Sequence, residues 1–110
     1  MLFKSRDKER AASEMEQIVY YANPCGIIVG SFIINSEGYV SDLSIKKKYR
    51  GQGYGNRMIA EMVEQFGNRN KPLHLMVLPE NTRAQHLYQK YGFTITKKAK
   101  YYYSMIYERV

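Results

Sequence analysis

The stretch Tyr49-Arg50-Gly51-Gln52-Gly53-Tyr54-Gly55-Asn56 has the residue types that hold a phosphate by its backbone. Glycines at the alternate positions 51, 53 and 55 accept φ values that a Cβ would forbid, and they let the chain come close to a ligand. A strand-like run, 39–45, leads in. An amphipathic helix leads out, and its first N–H groups and its dipole aim at one point where an anion would sit. Arg50 and Arg57 add charge on either side. The chemistry implied is a diphosphate cradle; the plain alternative is a surface turn that caps a helix. A P-loop is excluded because no Gly-Lys-Ser/Thr ending is present. The dinucleotide fingerprint is excluded because it needs glycine at 56, where Asn56 stands.

The elements that must position this turn follow from periodicity. A short strand at 18–21 stops at Asn23-Pro24-Cys25-Gly26, a turn by its residue chemistry. Residues 27–34 are β-branched and apolar throughout, the pattern of a strand buried on both faces. Asn35-Ser36-Glu37-Gly38 makes a hairpin turn. The next strand, 39–45, places Tyr39, Ser41, Leu43 and Ile45 on one face and Val40, Asp42 and Ser44 on the other. Over 56–66, Met58, Ile59, Met62, Val63 and Phe66 form one helical stripe, with Gly67 as its stop. A strand at 73–78 contains His74, read as a satisfied strand histidine rather than a base. Asn81 then caps a helix whose stripe is Ala84, Leu87, Tyr88 and Tyr91, closed by Gly92. Strands at 93–96 and 101–107 finish the chain. Strand, helix and strand in that order, with a right-handed crossover, set 39–45 parallel to 73–78.

Composition narrows the function classes. A chain of 110 residues with 45% apolar side chains has material for one small domain. Residues 1–16 read as a short leader or partial helix around Ala11, Ala12 and Met15. No apolar run resembles a signal peptide or a membrane span, so a cytoplasmic protein is expected. The single Cys25 excludes an internal disulfide framework and paired-cysteine metal sites, so no metal is expected. The net charge of +7 raises nucleic acid as a partner. Basic and aromatic residues do not interleave on any expected sheet face, which argues against RNA.

Two motifs converge on one family. Arg50-x-x-Gly53-x-Gly55 resembles the first signature of the GNAT superfamily of acyl-CoA N-acyltransferases. About 30 residues on, Asn81-x-x-Ala84-x-x-Leu87-Tyr88-x-Lys90-x-Gly92-Phe93 resembles the second. The resemblance covers residues 17–110. It implies a GNAT-like α/β fold, more exactly an α+β mixed sheet of six to seven strands splayed between two central parallel strands, with two main helices. It further implies acetyl-CoA as co-substrate and transfer of the acetyl group to a primary amine through a tetrahedral intermediate. Leu43, Ser44 and Ile45 would offer backbone groups to the pantetheine arm as an added strand does. Arg50, Gly51, Gln52, Gly53, Tyr54, Gly55 and Asn56 would take the diphosphate, and part of the basicity would serve the same polyanion. Asn81 matches a residue that contacts the pantetheine, and Tyr88 matches the general acid toward the coenzyme A sulfur.

Two departures from the family pattern bear on mechanism. Positions that carry a general base in other members hold Tyr39 and Ser41 here; Glu37 matches an earlier position on the same face and is the candidate base, with a water chain as the alternative. The chain also has no room for the usual first strand and two helices. An open acceptor groove is therefore expected, suited to a protein or peptide amine, or completed by a homodimer or partner subunit. A non-catalytic coenzyme A-binding protein is the second reading.

Overall fold

The computed structural model describes residues 1–4, 16–67 and 70–109. Seven strands form two antiparallel sheets, and two helices cover them. The first sheet joins β1 (Leu2–Lys4), β2 (Glu16–Ala22), β3 (Ile28–Asn35) and β4 (Val40–Ile45) in chain order. Helix α1 (Tyr54–Phe66) crosses to β5 (Leu73–Val77), and α2 (Thr82–Lys90) leads to β6 (Phe93–Lys98) and β7 (Tyr103–Tyr107). In the second sheet the order is β5-β7-β6.

The amphipathic stripes decide the packing. Met58, Ile59 and Met62 on α1 are fully buried against Val29 and Phe32 of β3 and Leu73 of β5, and one continuous core also takes in Tyr88, Phe93 and Met105. Helix α1 begins two residues before the expected Asn56, because Gly53 sits in the left-handed region (φ +83) and serves as its N-cap. Gly67 ends the helix for a different reason from the expected one. Its φ is −69, and a Cβ there would lie 2.6 Å from the Tyr107 ring and from the Val63 carbonyl, so small size rather than handedness selects glycine. The strand at β3 is buried on one face only: Phe32 and Ile34 are in the core, while Ser31 and Ile33 are half-buried.

Two expectations for the chain's first half are corrected. Residues 2–4 form a strand, paired antiparallel with Val19–Tyr21 of β2, where a leader without a first strand was anticipated. The partial helix around Ala11, Ala12 and Met15 lies outside the described residues. The alternation expected along 39–45 also fails. Ser44 pairs with Ser31 but Ser41 pairs with Ile33, so β4 carries one extra residue, a bulge at which Asp42 takes φ +51. The core-facing set therefore shifts from Val40 to Leu43 and Ile45, and Tyr39 and Ser41 face away from it.

The two sheets meet at one point. Tyr39 and His74 form a parallel bridge, with the His74 N–H donating to the Gly38 carbonyl at 2.9 Å. Beyond it β4 and β5 diverge, and β4 pairs only with β3. The edge of β4 that faces β5 is thus open from the bulge to Ile45. The His74 ring is held by stacking on Tyr39 (centroids 4.3 Å apart, planes 11° apart), not by a hydrogen bond among the described residues as a satisfied histidine would be.

Candidate active site

The glycine turn closes on itself before it meets anything else. A 3₁₀ turn, Lys47–Tyr49, follows β4, and Gly51 (φ +78) and Gly53 (φ +83) both take left-handed conformations. Arg50 Nε donates to the Ile45 carbonyl at 2.9 Å and ties the turn to the strand end. A helix leaves its first N–H groups without internal partners. Here Gly53 supplies no side-chain cap, and among the described residues the N–H groups from Gly51 to Asn56 donate to no atom of the chain. Gly55 differs from its neighbours. It is helical, and an added Cβ would touch Leu87 Cδ2 and Ile45 Cγ1 at 3.8 and 3.9 Å.

These N–H groups border a cavity of about 640 Å³, the size of a small-ligand site. One wall is the turn itself, with Ile45, Arg50, Gly51, Gly53, Tyr54, Gly55 and Asn56; the other is α2, with Asn81, Ala84 and Leu87. The structure thus brings both motifs onto one cavity. Asn56 links the walls, its Oδ1 accepting from Lys90 Nζ and Tyr91 Oη at 3.3 Å each. No carboxylate lines the cavity, whereas Arg50, Arg83 and Lys90 do. Tyr49, Arg83 and His86 were not singled out from the sequence as ligand-facing. Their signal was present for the α2 pair, because 83, 86 and 90 share a helix face with the motif residues 84 and 87.

Other expected site residues lie off this cavity. Gln52, Leu43 and Ser44 do not line it. Ser44 and Ile45 border a second cavity of about 510 Å³ with Gly30 and Ser31, and Arg50 borders both. Tyr88 is buried beside Phe93, ring centroids 6.0 Å apart, and burial raises its hydroxyl above the usual value of 10. That hydroxyl makes no hydrogen bond to the chain. Since no buried side-chain polar atom among the described residues lacks a partner, the oxygen reaches solvent. Asn81 caps α2, its Oδ1 accepting from the Ala84 N–H at 3.2 Å, which leaves its amide nitrogen as a donor. Glu37 is exposed in the turn between β3 and β4, where its N–H donates to Asn35 Oδ1; it lines neither cavity.

The residues present fit a diphosphate-bearing acyl carrier: free N–H groups at a helix start, cations without acids, and an open strand edge beside them. Residues 13–95 match the model of the acetyltransferase (GNAT) domain. The chain belongs to the GNAT family. A Bacillus subtilis relative assigned as a ribosomal protein bS18-alanine N-acetyltransferase is 31% identical over 91 residues, which are 82% of this chain and 58% of that protein. Thialysine N-epsilon-acetyltransferase of Bos taurus is 38% identical over 55 residues, 49% of this chain and 32% of that one. The chain thus spans about half the length or less of these two curated relatives. Among solved structures, a GNAT-family protein of Bacteroides thetaiotaomicron superposes with TM-score 0.74 at 18% identity, covering 98% of this chain and 72% of that one. A variant of spermidine N-acetyltransferase of Vibrio cholerae superposes with TM-score 0.70 at 18% identity, covering 88% and 68%. These two likenesses show the GNAT fold: seven strands in two sheets that part between β4 and β5.

The two glycine types in the turn separate experimentally. At Gly53 an added Cβ meets no atom within 4 Å, so Gly53→Ala acts through backbone strain alone. That strain is about 1–2 kcal/mol, and relieving it rotates the N–H groups out of convergence. Calorimetry is expected to show acetyl-CoA affinity about tenfold weaker for Gly53→Ala. Gly55→Ala adds a methyl in ordinary contact and is expected to stay within about threefold of wild type.

Proposed function

We propose that this chain is an acetyl-CoA-dependent N-acetyltransferase acting on a primary amine of a protein or peptide. The observation that carries the reading is the row of uncommitted N–H groups from Gly51 to Asn56, facing a cavity lined by cations and by the second motif. The protein or peptide acceptor rests on the Bacillus subtilis relative, whose name specifies a ribosomal-protein alanine. The early argument from a missing first strand no longer supports it, because β1 is present.

Acetyl-CoA bound at this cradle would supply an activated acyl carbon to the gap between β4 and β5. The turn's N–H groups and Lys90 hold the diphosphate. The open edge of β4 at Leu43, Ser44 and Ile45 exchanges hydrogen bonds with the pantetheine amides, and an N–H near Leu43 or Ser44 donates to the developing oxyanion. Asn81 keeps its cap through Oδ1 and donates from its amide nitrogen. Tyr88 carries a hydroxyl that burial keeps protonated, the state a general acid toward a leaving thiolate needs. Glu37 takes up the amine's proton through solvent, its carboxylate being exposed.

Thioester consumption with a peptide panel and with spermidine tests the whole reading. Turnover on peptides with free amines, exceeding that on spermidine, is expected; turnover on the polyamine alone would replace the acceptor class. The position of Glu37 away from the cavity favours a second reading, a coenzyme A-binding protein without turnover. Acetyl-CoA binding without thioester loss on either acceptor would establish that one. For the base, Glu37→Gln is expected to reduce kcat/KM by about tenfold at neutral pH and to displace the acid limb of its pH profile. A superimposable profile would transfer the role to water.

A further inference from the structure

Residues on the α2 wall are left unexplained by the diphosphate. Lys90 reaches Asn56 at the start of α1, so its ammonium belongs to the cradle. Arg83 and His86 line the same cavity one to two turns nearer the N-terminus of α2, about 10 Å along the helix from Lys90 for Arg83. The two lie at i and i+3, neighbours on one helix face. Both are exposed, neither has an ion-pair partner among the described residues, and no lining residue is acidic. Like charge gathered on one wall without a counter-charge costs folding free energy and is offset when an anion binds there.

We infer that Arg83 and His86 form a second anion seat, separate from the cradle, that reads the phosphate ester on the ribose of coenzyme A and so selects this carrier over one that ends at the diphosphate. The inference rests on the coenzyme A reading above. Arginine offers a planar fork for two phosphate oxygens, and the imidazole one turn on offers a further donor. A diphosphate on the Gly51–Asn56 N–H groups leaves this wall facing the nucleoside end of the ligand, where that ester is the remaining charged group.

Calorimetry with coenzyme A and with dephospho-coenzyme A tests it in low salt. Wild type is expected to bind coenzyme A at least about tenfold more tightly. The double variant Arg83→Gln/His86→Gln should bind both ligands with the affinity that wild type shows for dephospho-coenzyme A. Lys90→Gln should weaken both by the same factor and preserve the ratio. Equal wild-type affinities for the two ligands would overturn the second seat while leaving the cradle intact. So would a double variant that loses both ligands equally, which would assign Arg83 to the diphosphate. Failure of wild type to bind either ligand would overturn the coenzyme A reading itself.

Discussion

Replacing Tyr88 by phenylalanine is expected to lower kcat by about 100-fold or more, while acetyl-CoA affinity changes by less than about twofold. The substitution removes one oxygen from a ring that packs in the core beside Phe93, so the fold is retained. The oxygen reaches solvent and bonds to nothing in the chain, so its loss leaves no orphaned partner. Any fall in rate then reports a proton that the hydroxyl delivers. Burial raises the Tyr88 pKa above 10, so the acid form persists through neutral pH and somewhat beyond 10. The wild-type kcat profile should accordingly show no alkaline fall from this group below pH 10. Steady-state kinetics of both proteins from pH 6 to 10, paired with calorimetry, would check this. Unchanged kcat in Tyr88→Phe would return the residue to a packing role.

The largest stability effect is expected at the point where the two sheets join. Gly38 takes φ +90, its carbonyl accepts the His74 N–H, and a Cβ there would collide with the Pro72 carbonyl oxygen. Backbone strain and backbone displacement add, so Gly38→Ala should destabilise by about 2–4 kcal/mol. At this chain length that corresponds to a fall in Tm of roughly 10–20 °C. Gly26 is the control. It has a similar φ of +84, but a Cβ there would meet nothing within 4 Å, so Gly26→Ala should cost only about 1 kcal/mol of strain. Thermal unfolding followed by circular dichroism would separate the two. Equal losses would mean that the contact with Pro72 relaxes freely and that the joint is less tightly built than its geometry indicates.

Legibility tracked the range of the interaction. The apolar stripe from Met58 to Phe66 and the cap at Asn81 depend on residues within two turns of each other, and both stand where the spacing places them. The two signatures could be read for the same reason: each is a local segment whose glycines and polar residues serve its own backbone. The strand at Leu2–Lys4 escaped notice because three residues carry no period, and only pairing with β2, some 17 positions away in the chain, makes them a strand. The face assignment on β4 failed because a bulge is set by register with β3; a single extra residue moves Leu43 and Ile45 into the core and turns Tyr39 and Ser41 outward.

By itself, then, the order of residues determined the family, the two helices and the turn able to hold a diphosphate, because hydrogen-bond donors and φ preferences are properties of neighbours in the chain. Tertiary structure decided which of the candidates share a cavity. It set Arg83 and His86 across from the cradle, left Glu37 outside, and parted β4 from β5 beyond Tyr39 and His74, since distance between segments is settled only when the core between them is filled.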